Sequence, residues 1–250
     1  SMEGDDSSCA AYMDCILGRG PKYVFKNAKL RKYFKEVSMH SYWSGADTKK
    51  NAENYFSDKY SKYSVAATEY CQMTDDKNTG VYDLIAKEKN GTNGTSIKYG
   101  VAMANTIVDD LTIMNANEWD WWTACSYGTY TDGLIYLDED NHENLDFSKR
   151  YYCLGNFSKF IKEGAVRVAC SSGVKNVRSV AFVNEDNTVV TVYVNNNDKK
   201  AYTTIDCEGD YAVYTTDRDN DIAKTDFGKA KKVKVSLPAS SVVTVVYEAK

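Results

Sequence analysis

The spacing of apolar residues along the chain changes near Gly164. From residue 10 to residue 161, short apolar runs alternate with stretches whose apolar residues recur at helical spacing. After Gly164, apolar and polar residues alternate with a period of two, in short runs separated by turn-forming clusters. The first pattern is typical of βα units around a parallel sheet, and the second of an antiparallel β-sandwich. The sequence therefore predicts an α/β region at 1–163 and a β-sandwich at 164–250.

Strands and helices of the first region follow from the same patterns. Three runs that end in polar or aromatic residues predict strands at Val37–Trp43, Val65–Glu69 and Glu118–Cys125. Helices are predicted at Cys9–Leu17, Asn27–Glu36, Asn51–Ser64 (with a connector), Tyr99–Ile113 and Phe147–Ile161. The clearest helical face is that of the fourth, with Val101, Ala104, Ile107, Val108 and Leu111. In the last helix the predicted face is Tyr151, Leu154 and Ile161.

In the second region, alternation predicts short strands separated by clusters of Asn and Asp. They are expected at Val166–Val168, Val180–Val183, Val189–Val194, Ala201–Ile205, Tyr211–Tyr214, Val233–Val235 and Val242–Tyr247. We expect no helix of more than two turns in this region, and its charged residues show no catalytic cluster.

Candidate chemistry collects at the predicted strand ends. Glu69 stands where its strand should stop, and His40 and Tyr42 close the preceding strand. Catalytic groups gather at the carboxyl ends of parallel strands, and aromatic rings beside polar groups suit a sugar. Residue by residue, other interpretations stay open. Glu69 could point into water, His40 could be a core histidine bonded to backbone, and the tryptophans at 119, 121 and 122 could be core packing.

Composition excludes several classes of function. Charged residues make up 26% of the chain and the net charge is −4, which gives no reason to expect nucleic acid or a membrane surface as partner. The sequence contains no apolar run near the roughly 20 residues that a membrane-spanning helix needs. It has two histidines and no Cys-x-x-Cys spacing, so neither a metal nor another cofactor is expected. Its seven cysteines cannot all pair with one another.

Several segments resemble glycoside hydrolase family 30 in the order that the family has them. They are His40-Ser41-Tyr42-Trp43, Ala67-Thr68-Glu69-Tyr70-Cys71, Trp121-Trp122, Tyr127–Leu137, Leu154–Ile161 and Leu237–Ser241. The resemblance implies the last three strands of a (β/α)8 barrel with their helices, followed by the family's β-sandwich side domain. A complete barrel takes about 250 residues, whereas the α/β region has roughly 160. The sequence given is therefore expected to form only part of a barrel.

The resemblance also implies roles for individual residues. Glu69 falls on the family's nucleophile, and Tyr42 is similar to a tyrosine that hydrogen-bonds the nucleophile and keeps it ionised. Four further residues are implied to bind substrate, namely His40, Trp43, Trp121 and Tyr127. Retaining glycosidases need a second carboxyl group about 5 Å from the nucleophile. In the family this acid/base Glu follows an Asn at a strand end, and none of Glu3, Glu36 and Glu53 does so.

The expected function is therefore that of the nucleophile-bearing part of a retaining β-glycoside hydrolase, inactive by itself. Its substrates would be plant or microbial glycans such as β-1,6-galactan, β-fucosides or xylan. The alternative is a non-catalytic glycan-binding or assembly module with the same fold. The resemblance implies an extracellular or periplasmic location, although no signal peptide is expected in the sequence given. Open barrel edges predict a homodimer, or complementation by an N-terminal half. The alternative is that the chain covers the opening with its own loops, such as residues 74–98.

Overall fold

The computed structural model describes residues 32–33, 35–73, 96–127, 130–138, 140–141 and 143–248. The chain divides into two compact units, Ser1–Lys87 with Asp109–Ala124, and Glu88–Val108 with Cys125–Lys250. The predicted helix Cys9–Leu17 and most of Asn27–Glu36 lie outside the described residues, and Glu36 belongs to a strand. The domain boundary at 163/164 stays a prediction.

The first unit contains three parallel strands in the order β1-β2-β3. They are β1 (Glu36–His40), β2 (Ser64–Glu69) and β3 (Glu118–Trp119). Helix α1 (Ala46–Tyr60) connects β1 to β2, and α2 (Ile97–Thr112) precedes β3. The division between the units falls inside α2, after Val108. Together with the antiparallel sheet described below, this parallel β/α region confirms the predicted fold class.

Apolar side chains from β1, β2 and α1 form the core of the first unit. The buried members are Val37, Met39, Ala52, Val65, Ala67, Met114 and Ala116, with Tyr55, Phe56, Tyr63 and Trp119 packed against them. Helix α1 begins at Ala46, five residues before its predicted start. Its first turns were missed because their buried residue is Lys49, which interrupts the apolar pattern.

The third predicted strand is much shorter than Glu118–Cys125. Only Glu118 and Trp119 pair with β2, and the Asp120 amide donates the last hydrogen bond, to the Ala67 carbonyl at 2.8 Å. Trp121 and Trp122 follow the strand and are not part of it. The prediction was wrong here because a run of aromatic residues has the composition of a strand whether or not a partner is present.

A small sheet and a helix open the main part of the second unit. Strands β4 (Cys125–Tyr127), β5 (Ile135–Leu137) and β6 (Leu145–Phe147) form the sheet, and α3 (Lys149–Ser158) follows. The predicted buried face of α3 was wrong, since Tyr151 is exposed and Ile161 lies beyond the helix. The buried residues are Arg150, Cys153, Asn156 and Phe157.

Polar partners explain the buried face of α3. Arg150 donates to the Gly133 carbonyl and to Tyr136 Oη, at 2.8 and 2.5 Å. Asn156 donates to Thr244 Oγ1 at 2.9 Å and accepts from Thr216 Oγ1 at 2.5 Å. Buried polar groups are tolerated when they are hydrogen-bonded, and an apolar pattern cannot reveal them.

Six antiparallel strands complete the second unit, in the order β11-β10-β12-β9-β8-β7. They are β7 (Val166–Val168), β8 (Val177–Val183), β9 (Thr188–Asn195), β10 (Ala201–Thr216), β11 (Ala223–Leu237) and β12 (Ser241–Glu248). As predicted, the described residues after Gly164 contain no helix.

Strands β10 and β11 form one long hairpin, although the sequence predicts two strands at 201–214. The β10–β11 register shifts between Asp206 and Gly209, so the strand continues through residues that break the alternation. The first half of β10 pairs with β11 only, while Tyr211–Thr216 also pairs with β12. Side chains of both halves meet in one core cluster, which includes Ile205, Val233, Val213 and Val245.

Candidate active site

Parallel pairing places the ends of β1 and β2 side by side. His40, the last residue of β1, pairs with Glu69, the last residue of β2, after a register shift at Met39/His40. Because both strands run in the same direction, the two residues lie at the carboxyl edge of the sheet. The apolar residues before Glu69 are buried and fix the strand, and 33% of the Glu69 side chain is exposed.

Tyr42 is hydrogen-bonded to Glu69. It lies two residues beyond β1, and its Oη donates to Glu69 Oε1 at 2.9 Å. The side chain is buried, and its Oη also lies 3.7 Å from Cys71 Sγ. Burial, the Cys71 thiol and the Glu69 carboxylate together raise the pKa of the phenol above its ordinary value of 10.0. Tyr42 therefore keeps its proton and remains a donor to the carboxylate.

His40 approaches the same carboxylate oxygen. Its Nδ1 lies 3.7 Å from Glu69 Oε1, a separation that gives an ion pair only when the imidazole is protonated. Its ring meets the Tyr42 ring edge-on, with centroids 5.8 Å apart. The polar contacts that the described residues make to Glu69 thus fall on Oε1.

Aromatic rings continue from Tyr42 along the strand ends. Tyr70 contacts Tyr42 at 5.7 Å, Trp119 at 6.1 Å and Trp121 at 5.8 Å between ring centroids. Trp119 and Trp121 also contact each other, with ring centroids 6.3 Å apart, whereas the Trp122 side chain is exposed. The site therefore combines one carboxylate with a cluster of indole and phenol rings.

Trp43 adopts an unusual backbone conformation beside this cluster. Its φ is 53°, in the left-handed region that bulky residues rarely occupy, and its ring lies 5.7 Å from that of Tyr42. Such conformations are found at functional sites, where surrounding contacts offset the strain.

Asp110 is a buried charge that supports the site and that sequence reasoning missed. The fully buried carboxylate accepts from Lys49 Nζ at 2.6 Å, from Ser41 Oγ at 2.8 Å and from Trp119 Nε1 at 2.9 Å. It thereby joins α2 to α1, to the residue before Tyr42 and to β3. A signal was present, because Asp110 stands at i+3 from Ile107 on the apolar face of α2, where a carboxylate needs a partner.

Most of the predicted site residues come together. His40, Tyr42 and Glu69 are in mutual contact, and Trp43 and Trp121 belong to the adjoining ring cluster. Tyr127 belongs to β4 of the second unit, where its side chain is exposed. Within the described ranges, no cluster of His, Cys, Asp and Glu could hold a metal ion. The same residues include no helix long and apolar enough to cross a membrane.

Comparison with known families agrees with this architecture. The model of O-glycosyl hydrolase family 30 matches residues 10–136, and that of the family 30 β-sandwich domain matches residues 164–245. The chain belongs to glycosyl hydrolase family 30.

Solved structures share the fold at low sequence identity. A conserved exported protein from Bacteroides fragilis is 24% identical, with a TM-score of 0.77, and the match covers 94% of this chain and 50% of that protein. A family 30 endoxylanase from Clostridium papyrosolvens is 18% identical, with a TM-score of 0.68 and coverage of 98% and 61%. A family 30 subfamily 8 xylanase from Clostridium acetobutylicum is 21% identical, with a TM-score of 0.63 and coverage of 98% and 59%. The chain thus spans about half to three fifths of the length of these relatives.

Proposed function

We propose that the chain is the nucleophile-bearing part of a retaining β-glycoside hydrolase, with Glu69 as the nucleophile. The observation that carries the proposal is the 2.9 Å hydrogen bond from Tyr42 Oη to Glu69 Oε1 at adjacent strand ends. The contacts on Oε1 orient the carboxylate, and Oε2 is the oxygen that would attack the anomeric carbon. Tyr42 acts as a positioning residue that holds the carboxylate while remaining protonated.

The rings beside Glu69 are proposed to bind the sugar. His40 and Trp43 would shape the subsite, and Trp121 would provide a stacking wall. For Tyr127, in β4, the family resemblance alone supports a contact with substrate. Aromatic faces stack on the C–H faces of sugars, while polar groups meet the hydroxyls. Family membership supports a glycan, and a β-1,6-galactan, a β-fucoside or a xylan-like polymer is the substrate class that we propose. The exported relative from Bacteroides fragilis supports an extracellular or periplasmic location.

A second candidate function is a non-catalytic glycan-binding or assembly module. It is favoured by the positions of the described glutamates that precede Glu69. Glu36 pairs with Ser64 at the opposite end of the β1–β2 pair, and Glu53 lies in α1 within hydrogen-bonding reach of Ser57. Neither is placed to serve as an acid/base for Glu69.

Hydrolysis of aryl β-glycosides distinguishes the two functions. We expect this chain to be inactive by itself on ordinary glycosides, whose leaving group needs a proton from an acid. Dinitrophenyl β-glycosides should still release dinitrophenol slowly, because that leaving group departs without a proton. Adding an N-terminal barrel half in trans should accelerate hydrolysis of poorly activated glycosides. Glu69→Gln should abolish both activities. If no hydrolysis is measured with either kind of substrate, with or without the added half, the non-catalytic function is correct.

We also propose that the chain self-associates, because the edges of a partial barrel can be covered by a second copy as well as by an N-terminal half. Among the described residues, β1 pairs only with β2, and a sheet edge that ends in this way is a template for pairing with another chain. A two-fold dimer would cover such edges with a second copy. Light scattering coupled to size exclusion should give twice the chain mass at tens of micromolar. A monomer that binds no apolar dye would contradict this proposal.

A further inference from the structure

A cleft on the antiparallel sheet has the composition of a second ligand site. It has a volume of about 450 Å³ and lies between β10, β11 and β12, with Phe160 beside it. This volume falls within the range of roughly 300–1,000 Å³ that ligand pockets occupy. We call it the aromatic cleft and define it by Phe160, Tyr211, Tyr214, Lys224, Phe227 and Glu248. None of these residues contributes to the Glu69 site.

A small residue opens the space between the rings. Ala212 pairs with Phe227 of β11 on one side and with Val246 of β12 on the other. The register of β10 against β11 then shifts, so that Tyr214 pairs with Lys224. The short Ala212 side chain therefore forms the floor of the cleft between the Phe227 ring on β11 and the Tyr214 ring further along β10.

Phe227 carries ring surface that the sheet does not use for its own core. Phe227 is 69% exposed, and the core cluster of the sheet does not include it. Tyr214 packs against Phe160 with centroids 4.5 Å apart. Lys224 Nζ lies 5.6 Å from the Tyr214 ring and 5.4 Å from the Phe227 ring, which holds its ammonium group between them. An exposed ring beside a cleft that partly buried rings also line indicates binding more than packing.

Carboxylates and hydroxyls line the rim of the cleft. The carboxylates are those of Asp210 and Glu248, and the hydroxyl is that of Thr188. A Cβ atom at position 209 would overlap the Glu248 carboxylate, so Gly209, whose φ is +117°, lets that carboxylate lie against β10. The rim thus offers hydrogen-bond acceptors beside the rings. Two carboxylates disfavour an anionic polymer, and rings with acceptors suit the C–H faces and hydroxyls of a neutral sugar chain.

We propose that the aromatic cleft binds a neutral segment of a polysaccharide. Only the choice of a glycan as ligand rests on the proposed function, because a polymeric substrate can occupy two sites on one protein. A second site raises the apparent affinity for a long chain without any new contact at the first site. Short fragments would therefore gain little from the cleft.

Affinity electrophoresis in gels containing β-1,6-galactan, β-1,6-glucan or a xylan without acidic substituents tests the proposal. The key variant is Phe227→Ala, whose side chain is exposed and outside the core. The matched control is Tyr202→Ala, because Tyr202 in β10, like Phe227 in β11, is an exposed ring with a lysine over it, Lys234 Nζ at 4.3 Å. Each is also made in a Trp121→Ala background, which removes the proposed stacking wall of the Glu69 site. Circular dichroism verifies that every variant is folded.

We expect Phe227→Ala to weaken binding of at least one polysaccharide about tenfold, as loss of a central aromatic contact does. Tyr202→Ala should bind within twofold of the unsubstituted chain. In the Trp121→Ala background, retardation should persist and should disappear only when Phe227 is also replaced. Equal retardation with and without Phe227, loss of retardation on Trp121→Ala alone, or no retardation in any gel would overturn the proposal. Failure of Glu69 to act as a nucleophile would leave these comparisons unchanged, so the two proposals fail separately.

Discussion

The parallel β1–β3 region and the antiparallel β7–β12 sheet both bury polar side chains, but they use them differently. In the sheet, Asn156, Thr216 and Thr244 satisfy one another and tie a helix to strands. In the parallel region, Asp110 fixes residues next to a strand end, and the Tyr42 phenol beside them donates to a partly exposed carboxylate, Glu69. The comparison indicates that a buried polar network marks a candidate site when it leads to a charged group that solvent can reach.

Removing the charge of Asp110 should have the largest effect on stability. Asp110→Asn leaves the Lys49 ammonium buried beside a neutral amide, and we expect a loss of about 3–5 kcal/mol in the free energy of unfolding. Urea denaturation measures it, with Asp109→Asn as the control on the same helix turn. A loss below about 1 kcal/mol would mean that the Lys49–Asp110 pair is not the support that the comparison assigns to it.

The polar network of the antiparallel sheet should contribute less, because it carries no charge. Asn156→Ala removes the acceptor of Thr216 and the donor to Thr244, and we expect a loss of about 1–3 kcal/mol. Asn144→Ala is the matched control, since replacing this exposed amide should change stability by no more than about 0.5 kcal/mol. Equal effects of the two variants would remove the contrast between buried and exposed amides.

Alkaline pH should weaken both regions by the same mechanism. Burial is the first cause that raises the pKa of Tyr193 in the sheet and of Tyr42 in the parallel region. Above the ordinary pKa of about 10 the unfolded chain loses these protons while the folded chain keeps them, so stability falls as pH rises. Tyr193→Phe should make the decline shallower by ~1.4 kcal/mol per pH unit above pH 10. Denaturant midpoints at several pH values test this, and an unchanged slope would contradict the assigned cause.

Much of the fold follows from the sequence because its strands are short apolar runs with clear ends. The β2 strand ends at Glu69 as predicted, and each strand predicted after Gly164 lies within a strand of the antiparallel sheet. Helix α3 was predicted with the wrong buried face because hydrophobicity gives no weight to Arg150 and Asn156, whose burial depends on distant hydrogen-bond partners. The continuity of β10 was missed because its bulge resembles a turn.

The candidate site was predictable where a resemblance identified residues, and not where tertiary contacts alone create it. Glu69, Tyr42 and His40 follow from strand ends that parallel pairing brings together. Asp110 contacts Ser41, 69 residues away in sequence, so neither local spacing nor a motif predicts the pair. The aromatic cleft likewise depends on the register of three strands, which alternation alone does not give.

Covalent trapping of Glu69 tests the central claim most directly. The reagents are β-glycosyl fluorides of xylose, galactose, fucose and glucose in which fluorine replaces the hydroxyl next to the anomeric carbon. The Glu69 carboxylate would form a bond to the anomeric carbon as fluoride leaves, and the added fluorine slows hydrolysis of the resulting ester. We predict that mass spectrometry finds one sugar per chain, on the peptide that contains Glu69. Labelling should be absent in Glu69→Gln and slower in Tyr42→Phe. Labelling that persists in Glu69→Gln, or no labelling by any of the four sugars, would contradict the account.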